Sequence, residues 1–360
     1  MKKLYRYRPM SPFLFKELYY QELYFASYAE LNDPLDLSAR IDFSPREFKH
    51  IGGLLWFLYY ATLKLDRAGI PPDAHDNNQK MLRVMHDTVL ADAFQNTIFE
   101  QLTALSKDKK FIAVGDVLVI IKAASADLPF QFDILKFTQE IKRLAKKFLQ
   151  NSSVTCFSET NTNPLLWSHY SSSHSGVCLE FTLEREGMFP YRMPMNRQPD
   201  KEKYLQRLSH WQVEEHIFWE PLSKVTYQDE QPFINFFDFV PAFANEHDAD
   251  LLGLSKTWAH GFAWELKFAF ATKTRHWAYE NEWRAISIHF GEQEYPEERI
   301  KHFPIECLSA IYFGLKTPAD VKKRIYNIFK KHLHHEMEYY ECVEVSGDDF
   351  DFKEWEYECE

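Results

Sequence analysis

The sequence predicts an α+β fold with a mixed or mainly antiparallel sheet and a large helical insertion. Short strand patterns, in which apolar and polar residues alternate, lie towards both ends of the chain. Between them, residues 45–150 carry long patterns with apolar residues three and four positions apart, as in amphipathic helices. The chain has neither a glycine-rich strand-to-helix turn nor a GxxxxGKS or GxxxxGKT loop, which argues against a doubly wound parallel sheet. We therefore predict one domain, residues 1–360, with 45–150 as the insertion.

The first forty residues predict two short strands, at 3–8 and 22–27. Ser11 before Pro12 predicts the start of a helix between them, because serine caps helices and proline suits the first turn. An Asn-Asp-Pro turn at Asn32 follows the second strand, and its side chains suit capping of a loop.

The remaining elements follow from the same two periodicities. Helical patterns fill the insertion at 45–69, 78–105 and 130–150. Strand patterns return at 152–159, 176–183, 223–229, 282–290, 309–315 and near 336–345. Further helices are predicted at 163–171, from Ala249 to Thr274 and from Pro318 to about His332. The acidic, aromatic tail at 347–360 is either solvated or docked at a sheet edge.

Composition excludes several classes of protein. A net charge of −11 argues against broad, non-specific binding to nucleic acid, which depends on lysine and arginine. The start of the chain lacks an apolar signal segment, and no run of residues is apolar enough to span a membrane, so we expect a cytoplasmic protein without a membrane partner. Five well-separated cysteines without a CxxC pair predict neither a disulfide framework nor a zinc site.

Charged residues interrupt the strand pattern at 282–290. Glu280, Glu282 and Arg284 share the face that carries Ile286, because side chains alternate along a strand. Burial of an unpaired carboxylate is costly, so this face is expected to end at a cleft. The alternative is that Glu282 and Arg284 form an ion pair at the rim of the sheet.

Two other strands end in polar groups. Ser158 shares a face with Val154 and Cys156, and a serine in that place is often structural. Arg6 and Arg8 share a face of the first strand, where arginine can pair with a carboxylate or bind phosphate through two N–H groups.

The helix at 163–171 carries Trp167, His169 and Tyr170, which either line a pocket or belong to the core. A serine hydrolase would combine one of its histidines with a nearby serine, but no GxSxG motif surrounds either candidate. The histidines near His332 match no ligand spacing such as HExxH, so no metal site is predicted.

The chain resembles a bacterial family catalogued as domain of unknown function 2971. The resemblance rests on five blocks, which together cover much of the chain outside the insertion and residues 184–250: LYRYRP, LYFASYAELNDPLD, CFSETNTNPLLWSHYSSSHSGVCLEF, KTRHWAYENEWRAI and AIYFG. The family label implies little chemistry.

A second resemblance implies more. An arginine on the first strand, a serine ending a middle strand and a Glu-x-Glu pair entering a later strand are similar to elements of ADP-ribosyltransferases. The resemblance implies an ADP-ribosyltransferase-like sheet core with NAD as substrate, and it assigns the roles as follows. Arg6 or Arg8 would contact the phosphates or ribose, and Ser158 would support the nicotinamide site. Glu282 would stabilise the positive ribose of the transition state, and Glu280 would assist the acceptor.

The first hypothesis is therefore an NAD-consuming enzyme, a transferase or a glycohydrolase, acting as a toxin-like or antiphage effector. Trp167, His169 and Tyr170 are then candidate NAD-binding residues, and the acceptor is water or a macromolecule, protein or nucleic acid. This hypothesis predicts that Arg6, Ser158 and Glu282 converge.

Two alternatives belong to other classes. One is a non-catalytic module that senses a nucleotide or a protein. The other is a metal-dependent nuclease, in which Asp33, Asp36, Glu280 and Glu282 would gather around a magnesium ion.

Overall fold

The computed structural model describes residues 1–63, 84–89, 91–139, 141–142, 152–192, 217–239, 266–288, 295–344 and 350–357. The chain divides into two compact units. The sheet unit comprises Met1–Asp36, Ser152–Asp229 and Ala271–Glu360, and the helical unit comprises Leu37–Asn151 and Glu230–Phe270. The predicted insertion, 45–150, falls within the helical unit.

Most of the predicted strands and helices are present near their predicted positions, whereas the strands at 40–42, 188–192, 233–235 and 300–302 and the helix at 114–124 were not predicted. The strands are β1 Lys2–Arg8, β2 Glu22–Tyr24, β3 Ala26–Ser27, β4 Arg40–Asp42, β5 Ser152–Ser158, β6 Val177–Leu183, β7 Met188–Arg192, β8 Ile217–Lys224, β9 Thr226–Gln228, β10 Phe233–Asn235, β11 Thr272–Thr274, β12 Glu282–Ile288, β13 Ile300–His302, β14 Leu308–Phe313, β15 Glu338–Glu344 and β16 Phe350–Glu354. The α-helices are α1 Pro12–Tyr20, α2 Lys49–Leu63, α3 Asp92–Asp108, α4 Val114–Ala124, α5 Pro164–Tyr170, α6 Phe236–Phe239 and α7 Ala319–Asn327.

The sheet unit is built on one large sheet, in which the described residues form twelve strands. Its order is β16-β15-β14-β6-β1-β5-β12-β8-β7-β13-β2, and β3 also pairs with β5. The pairs are antiparallel except β14 with β15. The prediction of an α+β fold with a mixed, mainly antiparallel sheet is thus confirmed.

One face of this sheet carries the main apolar core. Large side chains from the central strands, among them Phe157 and Phe181, pack there with Leu14 and Leu18 of α1. Ile325 of α7 joins the same cluster. Both helices therefore cover the same face of the sheet, and their remaining sides are turned away from it.

Local signals explain several boundaries. Ser11 accepts a hydrogen bond from the Leu14 N–H and Pro12 begins α1, as predicted. The acidic tail docks at the sheet edge, where β16 pairs with β15.

The prediction of a helix up to Thr274 is wrong at its end. Thr272–Thr274 forms β11, a parallel pair with Thr226–Gln228. Pairing of this segment with β9 overrides the apolar periodicity that favours a helix. The earlier part of that helix, up to residue 265, lies outside the described residues, as do 64–83, 143–151, 289–290 and Cys359.

The helical unit has a small parallel pair of strands, β4 with β10. Asp42 at the end of β4 accepts hydrogen bonds from the N–H groups of Ser44 and Ile112. Phe43 stacks on Phe236 with 4.5 Å between ring centroids. Across the described parts of both units, no helix is long and apolar enough to cross a membrane.

Candidate functional site

The register of the central strands decides which polar residues meet. Tyr5 of β1 and Glu282 of β12 both lie directly opposite Ser158 of β5. Directly opposed residues project from the same face of a sheet. Ser158 and Glu282 therefore share a face with Tyr5, and Arg6 projects from the other one.

Arg284 is the centre of an ion cluster on the Ser158 face. Its Nη1 and Nη2 donate to the two carboxylate oxygens of Asp36 at 2.6 and 2.7 Å. Its Nε and Nη2 also donate to the carboxylate oxygens of Glu282 at 2.9 and 3.0 Å. Arg284 thus makes two bidentate pairs with no exposed surface of its own, the geometry in which arginine binds carboxylates most strongly.

Lys273, the middle residue of β11, joins the same carboxylates. Its ammonium lies 2.7 Å from a Glu280 oxygen, 3.1 Å from a Glu282 oxygen and 3.4 Å from an Asp36 oxygen. None of the five charged side chains of this cluster is more than 6% exposed: Asp36, Lys273, Glu280, Glu282 and Arg284. The cluster is therefore a buried ion network and not an ion pair at the rim.

The Asn-Asp-Pro turn delivers Asp36 to the cluster. The Asp33 carboxylate accepts from the Leu35 N–H at 2.9 Å, and the Asp33 carbonyl accepts from the Asp36 N–H at 3.0 Å. This is the side-chain capping expected of aspartate in a turn. The turn directs the carboxylate of its last residue inwards, where Arg284 holds it.

Glu280 connects the cluster to solvent. It ends a 3-10 helix, Arg275–Glu280, and the chain then turns at Asn281, whose φ of 44° is one that asparagine tolerates. The Tyr170 hydroxyl donates to the Glu280 carboxylate at 2.5 Å and accepts from the exposed Asn32 amide at 2.9 Å. A chain of hydrogen bonds therefore runs from the surface to Lys273 through Tyr170 and Glu280.

The cluster contains three carboxylates and two cations, so one negative charge is in excess when every group is ionised. The excess falls on Glu280: burial, together with the nearby Glu282 charge, raises the pKa of its carboxyl. Burial also acts on Glu282, but Arg284 and Lys273 outweigh it and lower the pKa of Glu282 to about 2. The two glutamates therefore hold protons very differently although one residue separates them.

Three further predicted residues lie on or beside this face. The Ser158 hydroxyl donates to the Glu280 carbonyl at 2.7 Å, so it fixes the backbone beside the cluster. Trp167 is fully buried, and its indole N–H donates to the Asn161 carbonyl at 2.6 Å. His169 is exposed, with its ring centroid 6.3 Å from that of Tyr170. Tyr170 is the one of the three aromatic candidates on α5 with a hydrogen bond to the cluster.

The two predicted arginines do not join this group. Arg6 is buried on the opposite face, where it donates to the Thr155 hydroxyl and, at 3.3 Å, to the Cys156 carbonyl. Arg8 forms an ion pair with Glu17 of α1. The predicted convergence of Arg6, Ser158 and Glu282 is wrong, because the register assigns the arginine to the other side of the sheet.

Two members of the cluster were missed by sequence reasoning or assigned differently. Lys273 follows the run FAFAT, whose periodicity predicts a helix, although a lysine ending such a run is a candidate for burial next to acids. Asp36 was considered only as a metal ligand. Within the described ranges, no group of three or more His, Cys, Asp or Glu side chains could hold a metal ion. The Lys273 ammonium lies among the carboxylates, where the nuclease hypothesis would need its cation.

A model of the family described as Protein of unknown function (DUF2971) matches residues 166–285. The match supports the resemblance to this family over that range, which includes Tyr170, Lys273, Glu280, Glu282 and Arg284. Comparison with curated proteins gives no match, and neither does comparison with solved structures.

Proposed function

We propose that the protein is an NAD-consuming enzyme that breaks the bond between nicotinamide and ribose and passes the ADP-ribosyl group to water or a macromolecular acceptor. The observation that carries this proposal is the unequal pair of glutamates at the start of β12. The pKa of Glu282 is lowered to about 2, and the pKa of Glu280 is raised. Neighbouring carboxyl groups with separated pKa values are typical of sites where one group stays charged and the other moves a proton.

The two glutamates suit two roles in this reaction. As the C–N bond breaks, nicotinamide leaves with the bonding electrons and positive charge develops on the ribose, which the ionised Glu282 stabilises. As the new C–O bond forms, the acceptor hydroxyl loses its proton to Glu280. The substrate displaces the Tyr170 hydroxyl from Glu280. The half-buried indole of Trp277, with its ring centroid 5.0 Å from the Lys273 ammonium, is placed to stack on the nicotinamide ring.

The residue that we assign to the NAD phosphates differs from the one expected from the sequence. Arg6 and Arg8 lie on the other face of the sheet, so we assign the NAD phosphates to Arg275, which starts the 3-10 helix leading to Glu280. Its side chain is 68% exposed and contacts Asp229 at 3.1 Å. An exposed guanidinium can exchange such a weak ion pair for a phosphate.

A non-catalytic module that senses a nucleotide or a protein is the second candidate. The observation that favours it is that each of the five charged groups in the cluster already contacts an opposite charge. A purely structural network would look the same. This candidate predicts that Glu282→Gln leaves the biological effect of a folded protein intact.

Nicotinamide release from NAD by the purified protein, with and without bacterial lysate, tests the proposal. Glu282→Gln should lower the rate by about a hundred- to a thousandfold, the usual cost of removing a group that stabilises transition-state charge. Glu180→Gln, which alters another buried glutamate on the same face, is the matched control and should keep the rate. Thermal unfolding of both variants excludes loss of the fold. If neither the wild type nor the variants release nicotinamide, with or without lysate, the enzyme hypothesis is refuted and the sensor module is favoured.

A further inference from the structure

A second candidate site lies at the β16 edge of the large sheet. Glu180 of β6 is opposite both Tyr5 of β1 and Ala310 of β14. Ala310 is in turn opposite Glu338 of β15. Directly opposed residues project from the same face, so the face that carries Ser158 continues through these residues to β15. Four strands separate β15 from β12, and the site is therefore distinct from the ion cluster.

The excess negative charge of the chain is concentrated at this edge. Residues 336–360 contain eight glutamates and three aspartates against one lysine, so their net charge is −10. The whole chain has a net charge of −11. Nearly all of the excess therefore lies in the last 25 residues, which include β15 and β16.

The two faces of the β15–β16 hairpin differ in how their charges are balanced. On the face that is turned to the main core, Glu341 contacts Lys322 at 2.6 Å and Lys353 at 2.8 Å. The opposite face has three exposed carboxylates that contact no cation in the described part of the chain, those of Glu338, Glu344 and Glu354. The cations that balance this second face must therefore come from solution or from a partner.

Tyr340 provides an aromatic surface next to these carboxylates. Its hydroxyl donates to Glu338 at 2.9 Å, and Glu354 of β16 is directly opposite. The hydrogen bond to Glu338, burial and the charges of Glu180 and Glu354 raise the pKa of this hydroxyl. One side of the ring stacks on Tyr312, with 4.9 Å between centroids and 13° between planes. Tyr340 is only half-buried, and no lysine or arginine of the described ranges lies over its ring.

Arginine is the side chain that fits this surface best. A guanidinium is planar, so it stacks on an aromatic ring and still donates two parallel bonds to a carboxylate beside the ring. Glu338 and Glu344 are six residues apart on one strand, which corresponds to about 20 Å. The acidic face is thus long enough for an extended segment with several basic residues. A second copy of this chain would bring the same negative charge and is disfavoured as the occupant.

We propose that this face of β15 and β16 docks an extended, arginine-rich segment of a partner protein. One guanidinium stacks on Tyr340 and binds the carboxylate of Glu354, and further basic residues of the segment bind Glu338 and Glu344. This is a binding site without chemistry, and it does not depend on the proposed cleavage of NAD.

Fluorescence anisotropy with two labelled octapeptides, one of four Arg-Ser repeats and one of four Lys-Ser repeats, tests the proposal at low ionic strength. Wild type should bind the arginine peptide more tightly than the lysine peptide. Glu338→Gln combined with Glu354→Gln should weaken the arginine peptide by about five- to tenfold, because two exposed ion pairs are lost. Tyr340→Ala should weaken it by about two- to fivefold, and Tyr340→Phe, which keeps the ring, should bind like wild type.

Glu184→Gln combined with Glu186→Gln is the matched control. It removes the same two charges from exposed positions just after β6 and should bind the arginine peptide nearly like wild type. Thermal unfolding verifies that each variant is folded. Three results would overturn the proposal: no binding of the arginine peptide at millimolar concentration, equal weakening in the two double variants, or unchanged binding of the arginine peptide by Tyr340→Ala. The first would leave the exposed acids with the role of keeping the sheet edge from pairing with other sheets.

Discussion

Two buried glutamates beside the same sheet face, Glu180 and Glu280, have the same kinds of partner, but their pKa values are shifted in opposite directions. Glu180 accepts from the Tyr312 hydroxyl at 2.8 Å and lies 2.8 Å from the Lys3 ammonium. Glu280 accepts from the Tyr170 hydroxyl at 2.5 Å and lies 2.7 Å from the Lys273 ammonium. By residue type alone, the two triads would be expected to behave alike.

The two carboxyl groups differ in their pKa because the charges around them differ. Burial acts on the pKa of Glu180, but hydrogen bonds from Lys3, Tyr312 and Ser309 outweigh it and lower that pKa. At Glu280, burial and the charge of Glu282 together raise the pKa. The lysines differ as well: Lys3 is 52% exposed, whereas Lys273 is 4% exposed and also contacts Asp36 and Glu282. Acidity here follows the local balance of charge and not the identity of the bonded groups.

The largest effect should come from removing the centre of the cluster. Arg284→Leu leaves Asp36 and Glu282 buried with only Lys273 to balance them, so we expect a loss of about 3–5 kcal/mol in the free energy of unfolding. Urea denaturation at neutral pH measures it. A loss below about 1 kcal/mol would mean that the carboxylates are solvated and that the network is not a buried one.

The acid stability of the protein should depend on Glu282. Its pKa is about 2 in the folded state against 4.5 as the ordinary value, so its contribution is present above pH 4.5 and is lost as pH falls towards 2. This contribution is about 3 kcal/mol. Denaturation of wild type and Glu282→Gln at a series of pH values should show a shallower decline for the variant between those limits. Parallel curves would show that Glu282 has an ordinary pKa.

The two tyrosines should differ in their effect on activity. The Tyr170 hydroxyl lowers the pKa of Glu280, so Tyr170→Phe should raise that pKa further. Because Glu280 must be ionised to accept a proton, the acidic limb of kcat/KM should move to higher pH. Tyr312→Phe, the matched change at Glu180, should leave the profile of NAD cleavage in place. If the acidic limb of kcat/KM moved equally in Tyr170→Phe and Tyr312→Phe, Glu280 would not differ from Glu180 in its role in the reaction.

The smallest effect is expected at Lys3. Its ammonium is half exposed, and Glu180 retains Tyr312 and Ser309 when the lysine is removed. Lys3→Met should therefore cost about 1 kcal/mol or less in the free energy of unfolding. A loss as large as that of Arg284→Leu would show that the exposed pair and the buried network are energetically equivalent.

The sequence predicted β1, β5, β6, β12, β14 and β15 of the sheet, but not β7 or β13, and it predicted the face that each polar residue shares within its own strand. Alternation placed Ser158 with Cys156, and Glu282 with Arg284, as the structure has them. It could not predict which faces of different strands coincide, because that depends on register, and a shift of one residue reverses a whole strand. The resemblance to ADP-ribosyltransferases implies Arg6 beside Ser158, but the register pairs Tyr5 with Ser158 and so puts Arg6 on the opposite face.

The composition of the cluster was also only partly predictable. Glu280, Glu282 and Arg284 are close in sequence and were recognised together. Asp36 and Lys273 come from distant segments, a turn and a short strand whose pairing with β9 no local pattern reveals. Charge balance in a buried network depends on all members, so the acidity of Glu280 could not be predicted without them.

The most direct test of the central claim is the rate of nicotinamide release by Glu280→Gln next to Glu180→Gln, at saturating NAD and near neutral pH, with lysate as a source of acceptor. Loss of the proton carrier should lower kcat by about a hundredfold or more in the first variant, while the second keeps the wild-type rate. Equal rates in both variants, or no release by the wild type, would contradict the assignment of Glu280 and Glu282 as the reacting pair.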